Sequence, residues 1–339
     1  MADLMLETNE TATRAETSAS AARPLDLSIL IVTWNSERWI ERCLQSIPAA
    51  CDGLAYEVVV YDNASDDATL ARMNGNVRIL RGPHNDGFAA GINRAFDASK
   101  GRYLFLLNPD SALEPGALAK LFAFLEAHPH VAAAAPLLVD EEGGGSQREF
   151  QLRRLPSAGT LIKEVLGIGK LFPKSSARYR YRDLDLAEPR RIEQPAAAAF
   201  LMRRDVYNAV GPLDEQFSPA WFEDVDYCRR LAQQKKEIYV VPGAIVRHFG
   251  GASLEHLSFA RFTEVWYSNM WRYARKWMRA GEAEALRWAI IAGMVLRAIA
   301  ALIGVRPHGI ARGEAIAAYG NVLRKAWERW SPDSSPSSS

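Results

Sequence analysis

Between residues 27 and 136 the chain alternates two hydrophobic patterns. Short runs rich in apolar and β-branched residues read as strands, and apolar residues recurring every three or four positions read as helices. The runs are 27–33, 56–61, 77–80, 103–107 and 131–136. Ile40, Cys43, Leu44 and Ile47 mark a first helix, with Ser36 as its expected cap. A second follows Asn85-Asp86-Gly87-Phe88-Ala89-Ala90-Gly91 and runs toward Ser99. A third opens at Pro115 and carries Leu118, Leu121, Phe122 and Leu125. Strands alternating with helices predict βαβ units and an α/β fold, a mostly parallel sheet flanked by helices.

The run 103–107 predicts a strand buried on both faces. Asn108-Pro109-Asp110 stops it, because proline has no N–H for the ladder. A carboxylate is thus left at the carboxyl end of a buried strand, the edge where open α/β sheets bind ligands. Asp62 ends the second run in the same way. A carboxylate there can accept hydrogen bonds from ribose or a pyrimidine N–H, and one at Asp110 can hold a divalent cation against a diphosphate. Gly87 and Gly91 would let backbone amides approach that ligand. Taken singly, each acid is equally well explained as a solvated turn residue.

Beyond residue 140 the pattern is less regular. Gly143-Gly144-Gly145 predicts a loop, and 147–191 is basic and tyrosine-rich without a period, an insert expected over the site and partly mobile. Residues 194–202 read as one buried strand and 238–241 as an edge strand. Phe262, Trp266, Met270, Tyr273 and Trp277 form one stripe of an amphipathic helix, expected to pack on the preceding domain. Arg287 and Arg297 bracket the uncharged stretch 288–296, so no span of about 20 residues is predicted. Packing between helices, including a homodimer, and an interfacial helix on a membrane surface both fit 261–330.

Net charge is +1 but unevenly spread. Residues 147–191 carry eleven Lys/Arg against five Asp/Glu, and 261–330 twelve against five. Basic segments on an acidic body point to an anionic partner: phosphate, pyrophosphate or a membrane surface. Nucleic acid is not an expected partner. Cys43, Cys51 and Cys228 have no metal-ligand spacing and read as free thiols of a reducing, cytoplasmic compartment. Residues 1–24 lack the pattern of a secretory signal and, like 331–339, read as disordered tails.

No G-x-G-x-x-G follows the first run, which argues against a dinucleotide-dependent dehydrogenase, and no P-loop motif is present. The remaining chemistry gathers at Trp221-Phe222-Glu223-Asp224-Val225-Asp226 and at His248. Acids at a helix start are stabilised by its dipole whatever else they do. The functional reading is a general base beside aromatic surfaces that stack an acceptor.

Seven blocks carry a family resemblance: Ile31-Val-Thr-Trp-Asn35, Val58-Val-Val-Tyr-Asp-Asn-Ala-Ser65, Asn85-Asp-Gly-Phe-Ala-Ala-Gly-Ile-Asn93, Leu107-Asn-Pro-Asp110, Gly211-Pro-Leu-Asp-Glu215, Glu223-Asp-Val-Asp226 and His248-Phe-Gly-Gly-Ala-Ser253. Over about two-thirds of its length the chain resembles an inverting family-2 glycosyltransferase of the GT-A fold, close to the bacterial rhamnosyltransferase branch. The resemblance implies a catalytic domain at 25–258 and a C-terminal helical extension at 259–330. It implies that Thr33, Asn35, Glu37, Asp62, Asn63, Asn85, Gly87, Phe88, Asn93, Asn108, Pro109 and Asp110 bind a nucleotide-diphospho-sugar. Asp110 and His248 would then hold Mg²⁺ or Mn²⁺. Asn108 departs from the family's D-x-D, which leaves most of the metal contact to Asp110. Asp224 would be the base, with Glu223 and Asp226 as rivals that sequence alone does not separate. Trp221 and Glu223 would meet the acceptor, a glycan or polyprenyl-diphosphate-linked sugar at the inner-membrane surface. By analogy within the branch, the donor is dTDP-L-rhamnose, with UDP-sugars as the alternative. A nucleotidyltransferase would need a glycine-rich basic loop where Thr33-Trp34-Asn35-Ser36 stands, and a mere binder would have no use for the acids beside Trp221.

Overall fold

The apolar runs assemble into a central sheet in a computed structural model, which describes residues 24–140, 145–172, 174–250 and 257–330, without the side chains of Lys170, Leu171 and Ser175. The tails predicted at 1–23 and 331–339, Gly143 and Gly144 of the glycine triplet, and residues 251–253 of the last block lie outside the described residues.

Strand β1 (Leu27–Thr33) is buried at all seven positions. It pairs in parallel with β2 (Tyr56–Asp62), β2 pairs with β3 (Val77–Arg81), and the other side of β1 pairs with β4 (Tyr103–Leu107). The helices between them are α1 (Ile40–Cys51), α2 (Phe88–Asp97) and α3 (Ala117–Ala127). Alternate strand residues leave the sheet on opposite faces. Ile29, Ile31, Val60 and Phe105 therefore share one core with α1 and α3, while Leu30, Val59, Leu104 and Leu106 share another with α2. Ser36 does not cap α1 with its side chain: its carbonyl receives the N–H groups of Trp39 and Ile40 at 3.0 Å, and its own N–H donates to Thr69 Oγ1 at 2.6 Å.

The second half is mixed. It contains β5 (Ser111–Leu113), β6 (Val131–Val139), β7 (Leu152–Arg153), β8 (Arg190–Ile192), β9 (Gln194–Pro195), β10 (Ala199–Arg203) and β11 (Glu237–His248). The sheet runs β3-β2-β1-β4-β10-β6-β11-β5, with β8 also on β11. β10 enters antiparallel between β4 and β6. Two expectations change. The run 194–202 is two strands, because Ala196–Ala198 turn their backbone groups to other partners. The stretch 238–241 is not an edge: it opens a twelve-residue strand and lies between β6 and β8, and Pro242 and Gly243, which read as a break in the sequence, are carried within that strand.

Residues 147–191 fold into short pieces, α4 (Arg148–Gln151), α5 (Ala158–Val165), α6 (Ile168–Leu171) and α7 (Lys174–Ala177), besides β7 and β8. Side chains hold them together, so no hydrophobic period was needed. Arg148 donates to the carbonyls of Tyr181 and Leu184, and Arg180 pairs with Glu149 and Glu164 at 3.5 and 3.0 Å.

After α8 (Arg204–Val210) and α9 (Glu223–Gln233) come three long helices, α10 (Phe259–Trp277), α11 (Ala280–Leu302) and α12 (Arg312–Trp327). The α10 stripe packs inward as its spacing predicts. Met270 and Tyr273 share a third core with Phe217 and Phe222, and the rings of Trp266 and Phe222 lie 5.3 Å apart. The expectation that no span is available fails. α11 runs through both arginines, because Arg287 is buried against Glu284 at 2.8 Å and the Ala326 carbonyl at 3.1 Å. At 23 residues with a mean hydropathy of 1.8 over its most apolar stretch, α11 is long and apolar enough to cross a membrane by length and composition alone.

Candidate active site

The carboxyl ends of β1, β2 and β4 carry the site because their loops diverge there. Thr33 and Asp62 stand opposite each other in the ladder. Thr33 Oγ1 donates to Asp62 Oδ1 at 3.0 Å, and Ser65 donates to the same carboxylate through its hydroxyl at 2.5 Å and its N–H at 3.0 Å. Asp62 is fully buried, and in this structure its oxygens serve the loop itself. Asn35 takes a positive φ of 49°, a conformation asparagine tolerates, and its Oδ1 accepts from Asp66 N at 3.0 Å.

These loops wall a cavity of about 330 Å³. Thr33, Asn35, Asn63, Asn85, Gly87, Phe88 and Pro109, expected to bind the nucleotide-sugar, and Trp221, expected to meet the acceptor, all line it. Gly87 is required there: at φ 92° an added Cβ would lie 2.7 Å from the Pro219 carbonyl oxygen. Ser218, Pro219, Leu257 and Arg261 complete the wall. Other expected binders do not reach it. Glu37 is exposed and binds the 66–69 turn, accepting from Ala68 N at 3.0 Å. Asn93 is buried on the far side of α2. Its amide donates to the Leu213 carbonyl and to Glu215, both at 2.9 Å, and its oxygen accepts from Tyr207 Oη at 2.8 Å and Leu213 N at 2.9 Å. Two donors and two lone pairs are then all used, so Asn93 clasps α2 to the 211–215 turn and has no bond left for a ligand.

Asn108 is held by its N–H on the Ala198 carbonyl at 2.9 Å. Asp110 is buried and faces a separate void of about 10 Å³ closed by Trp39 and Phe249. The pairing of β5 with β11 brings His248 to it, with Nε2 3.5 Å from Asp110 Oδ1. Gln147 fixes that imidazole. Its Nε2 donates to the His248 carbonyl at 2.6 Å, so its Oε1 faces Nδ1 at 2.8 Å and the proton lies on Nδ1. Nε2 is left with its lone pair toward Asp110, the arrangement of a metal-ligating histidine with its outer partner. Burial holds the imidazole neutral by lowering its pKa, against the opposing pull of Asp110. The buried hydroxyl of Ser111 has no hydrogen-bond partner among the described residues. The pair fits a hard divalent cation that takes its remaining ligands from phosphate oxygens and water. Among the described residues no group of three His, Cys, Asp or Glu could hold a metal alone.

The three acids of α9 have different surroundings. Asp226 is fully buried and spent on structure: it meets Lys276 at 2.7 Å, Arg230 at 3.1 Å and Trp277 Nε1 at 2.8 Å. Glu223 is buried with Oε2 unpartnered, and burial together with Asp224 pushes its pKa well up. Asp224 is half-buried. Its Oδ2 receives Gln194 Nε2 at 3.2 Å and Ala197 N at 3.4 Å. Burial raises its pKa, while backbone N–H groups and Arg153 oppose the rise. Ala197 and Ala198 thus link Asp224 to Asn108 across the gap between β9 and β10. Trp221 and Phe222, just before α9, sit at φ 72° and 75°, a conformation that costs bulky residues about 1–3 kcal/mol each. Asn269 of α10 holds them, donating to the carbonyls of Ala220 at 2.8 Å and Trp221 at 3.1 Å.

A family model described as Glycosyl transferase family 2 matches residues 28–211, more than half of the chain. The chain belongs to glycosyl transferase family 2. Among curated relatives, protein y4gI of Sinorhizobium fredii, described as uncharacterized, is 27% identical over 68% of this chain and 25% of its own length. The succinoglycan biosynthesis protein ExoO of Rhizobium meliloti is 30% identical over 39% of each chain. A dolichol-phosphate mannosyltransferase of Pyrococcus furiosus is 22% identical over 55% of this chain and 48% of its own. The matches thus span from a quarter to about half of those relatives. Two solved structures share the GT-A fold: GalNAc-T7 with UDP, GalNAc and Mn²⁺ (TM-score 0.53, 16% identity, 91% of this chain and 56% of that one), and the mannosyltransferase PcManGT of Pyrobaculum calidifontis with GDP-Man and Mn²⁺ (TM-score 0.52, 18%, 91% and 84%).

Within this family-2 chain, sequence reasoning missed Gln147, Gln194 and Asn269. Asn269 had a signal, a lone amide inside an apolar helical stripe. The two glutamines had none, since both partners are distant in sequence. Replacing Asn93 by alanine leaves several buried groups unsatisfied and is expected to cost about 2–4 kcal/mol, read as a urea midpoint, while nucleotide affinity of the folded protein by calorimetry changes less than about threefold.

Proposed function

We propose that this chain is an inverting glycosyltransferase that moves a sugar from a nucleotide-diphospho-sugar to a hydroxyl of a glycan or lipid-linked acceptor, in cell-surface polysaccharide synthesis. The observation that carries the reading is Asp224: a half-buried residue whose carboxyl has a raised pKa, linked through Ala197 and Ala198 to Asn108 at the end of β4. The nucleotide lies in the cavity of Thr33, Asn63 and Gly87. Asp110 and His248 would hold Mg²⁺ or Mn²⁺, which when bound supplies charge to offset that developing on the leaving diphosphate. Asp224 takes the proton of the acceptor hydroxyl. That oxygen bonds to the anomeric carbon as the carbon–oxygen bond to the diphosphate breaks on the opposite face, and configuration inverts. Trp221 offers a ring to the acceptor. Gln194 and Ala197 orient the base, and burial of Glu223, which raises its pKa, disfavours a second negative charge beside it.

A base with a raised pKa is lost on acidification at higher pH than an ordinary carboxylate. The acid limb of kcat/KM is therefore expected above the free-carboxylate range of about 4. Asp224→Asn is expected to remove that limb and to lower kcat/KM by ~10²–10⁴-fold with donor affinity retained; full activity in that variant sinks the mechanism.

We propose dTDP-L-rhamnose as donor, by the Asn108-Pro109-Asp110 analogy to the rhamnosyl branch. In a thermal-shift screen with and without Mn²⁺, dTDP and dTDP-rhamnose are expected to stabilise the protein more than UDP and UDP-sugars. Equal shifts would remove the rhamnosyl assignment and leave a UDP-sugar transferase.

We also propose that α11 and its following turn rest on the cytoplasmic leaflet. Leu296, Ile299, Leu302, Ile303 and Val305 are exposed there, with Arg297 and Arg306 beside them, while Leu286, Ile290 and Met294 on the other face are buried in the protein. Flotation with anionic liposomes at low salt is expected to carry the protein upward and Leu302→Asp/Ile303→Asp to abolish it.

A further inference from the structure

A cavity of about 710 Å³ lies apart from the nucleotide cavity. It opens between the 147–191 insert and α10. One wall is basic, with Arg153, Lys163, Arg180 and Arg182 against the single acid Glu164. The other is aromatic, with Tyr179, Trp266 and Tyr267. The two cavities share a partition, since Trp221 lines the smaller and Trp266 the larger, and their rings stand 6.2 Å apart.

Two features of the basic wall favour an anion. The Nε–H groups of Arg153 and Arg180 are buried without an acceptor among the described residues. A buried donor left unmade costs about 1–3 kcal/mol, so both arginines, which line the cavity, gain by turning toward an oxyanion bound there. Arg180 is also fixed in place by Glu149 and Glu164, and Arg182 by Glu149 at 2.8 Å, so the wall is pre-oriented. The wall adjoins the base: Arg153 pairs in the β7–β9 ladder with Gln194, and Gln194 donates to Asp224.

We propose that this cavity is an acceptor subsite that takes a phosphate or diphosphate group together with the sugar it carries, Arg153 and Arg180 binding the oxyanion and Trp266 and Tyr267 facing the sugar. The volume exceeds what a phosphate alone fills and lies in the range of sites that enclose a small organic ligand. Guanidinium groups match phosphate oxygens through paired N–H donors. The acceptor role rests on the transferase reading above; the anion site itself does not.

The test is calorimetry on the full chain saturated with dTDP, so that the donor's diphosphate site is filled. The probes are glucose, glucose-1-phosphate and farnesyl diphosphate. Binding of glucose-1-phosphate but not glucose is expected, weakened about tenfold or more in Arg153→Gln and in Arg180→Gln with dTDP affinity unchanged. Lys163→Gln, on an exposed position, is expected to weaken it about threefold and guards against misfolding of the other two. Tighter binding of farnesyl diphosphate than of glucose-1-phosphate would assign a lipid-linked source, and the reverse a soluble one; both uphold the subsite. No phosphate-dependent binding to the dTDP-saturated protein, or binding indifferent to all three substitutions, overturns it. Arg153→Gln is further expected to move the acid limb of kcat/KM to higher pH, because a cation favouring ionised Asp224 is gone. If the probes bind as expected but Asp224→Asn retains full transfer, the transferase mechanism fails while the anion site stands.

Discussion

The antiparallel entry of β10 between β4 and β6 sets the geometry of the site. β4 ends at Leu107 opposite Ala199, so the last rung of that ladder lies beside both Asn108 and the break at Ala196–Ala198. Backbone groups freed by the break are not wasted. The Ala198 carbonyl takes the Asn108 N–H, and the Ala197 N–H turns to Asp224. Buried backbone groups must find partners, and here the partners come from the two loops that carry the acids. The distance between the end of β4 and the start of α9 is thereby fixed by hydrogen bonds within the rigid sheet.

Electrostatics then separates acids that look alike. Asp226 is surrounded by Lys276, Arg230 and Trp277 and ties α9 to α10. Glu223 has burial and a like charge beside it, both of which disfavour ionisation. Asp224 has burial opposed by backbone N–H groups and by Arg153. Three neighbouring carboxylates end in three surroundings: Asp226 paired with cations, Glu223 buried with its pKa pushed up, and Asp224 held by two N–H donors. The strained turn at Trp221 and Phe222 that sets this spacing is stabilised from outside the sheet, by Asn269 and the aromatic packing of α10. The C-terminal helices are therefore part of the site's support, and Arg261 at the start of α10 lines the cavity of Thr33 and Gly87 directly.

The insert and α10 together enclose a basic and aromatic space on the other side of the Trp221–Trp266 pair. Its walls come from segments far apart in the chain, and its charge is held in place by Glu149 and Glu164. The chain thus carries, beside the cavity at the carboxyl ends of the strands, a second pocket of complementary chemistry next to Asp224.

Most of the sheet's first half was legible from the sequence, because β1, β2 and β4 are short, mostly apolar runs bounded by turn residues. Part of the cavity lining was legible for the same reason: Thr33, Asn63 and Pro109 sit where such runs end. Asn93 and Glu37 stand in the same motifs, yet local hydrogen bonds direct them elsewhere. A motif fixes position along the chain but not which way a side chain turns. The split of 194–202 and the centrality of β11 depend on which strands become neighbours, and α11 outran its expected bounds because Arg287 found Glu284 and the Ala326 carbonyl. The sequence by itself determined the order of elements and the edge at which the chemistry gathers, since hydrophobic period and chain breaks are local properties. Only the tertiary structure decided which acid is free, which amide is spent and where the cations converge, since those follow from contacts between residues remote in sequence.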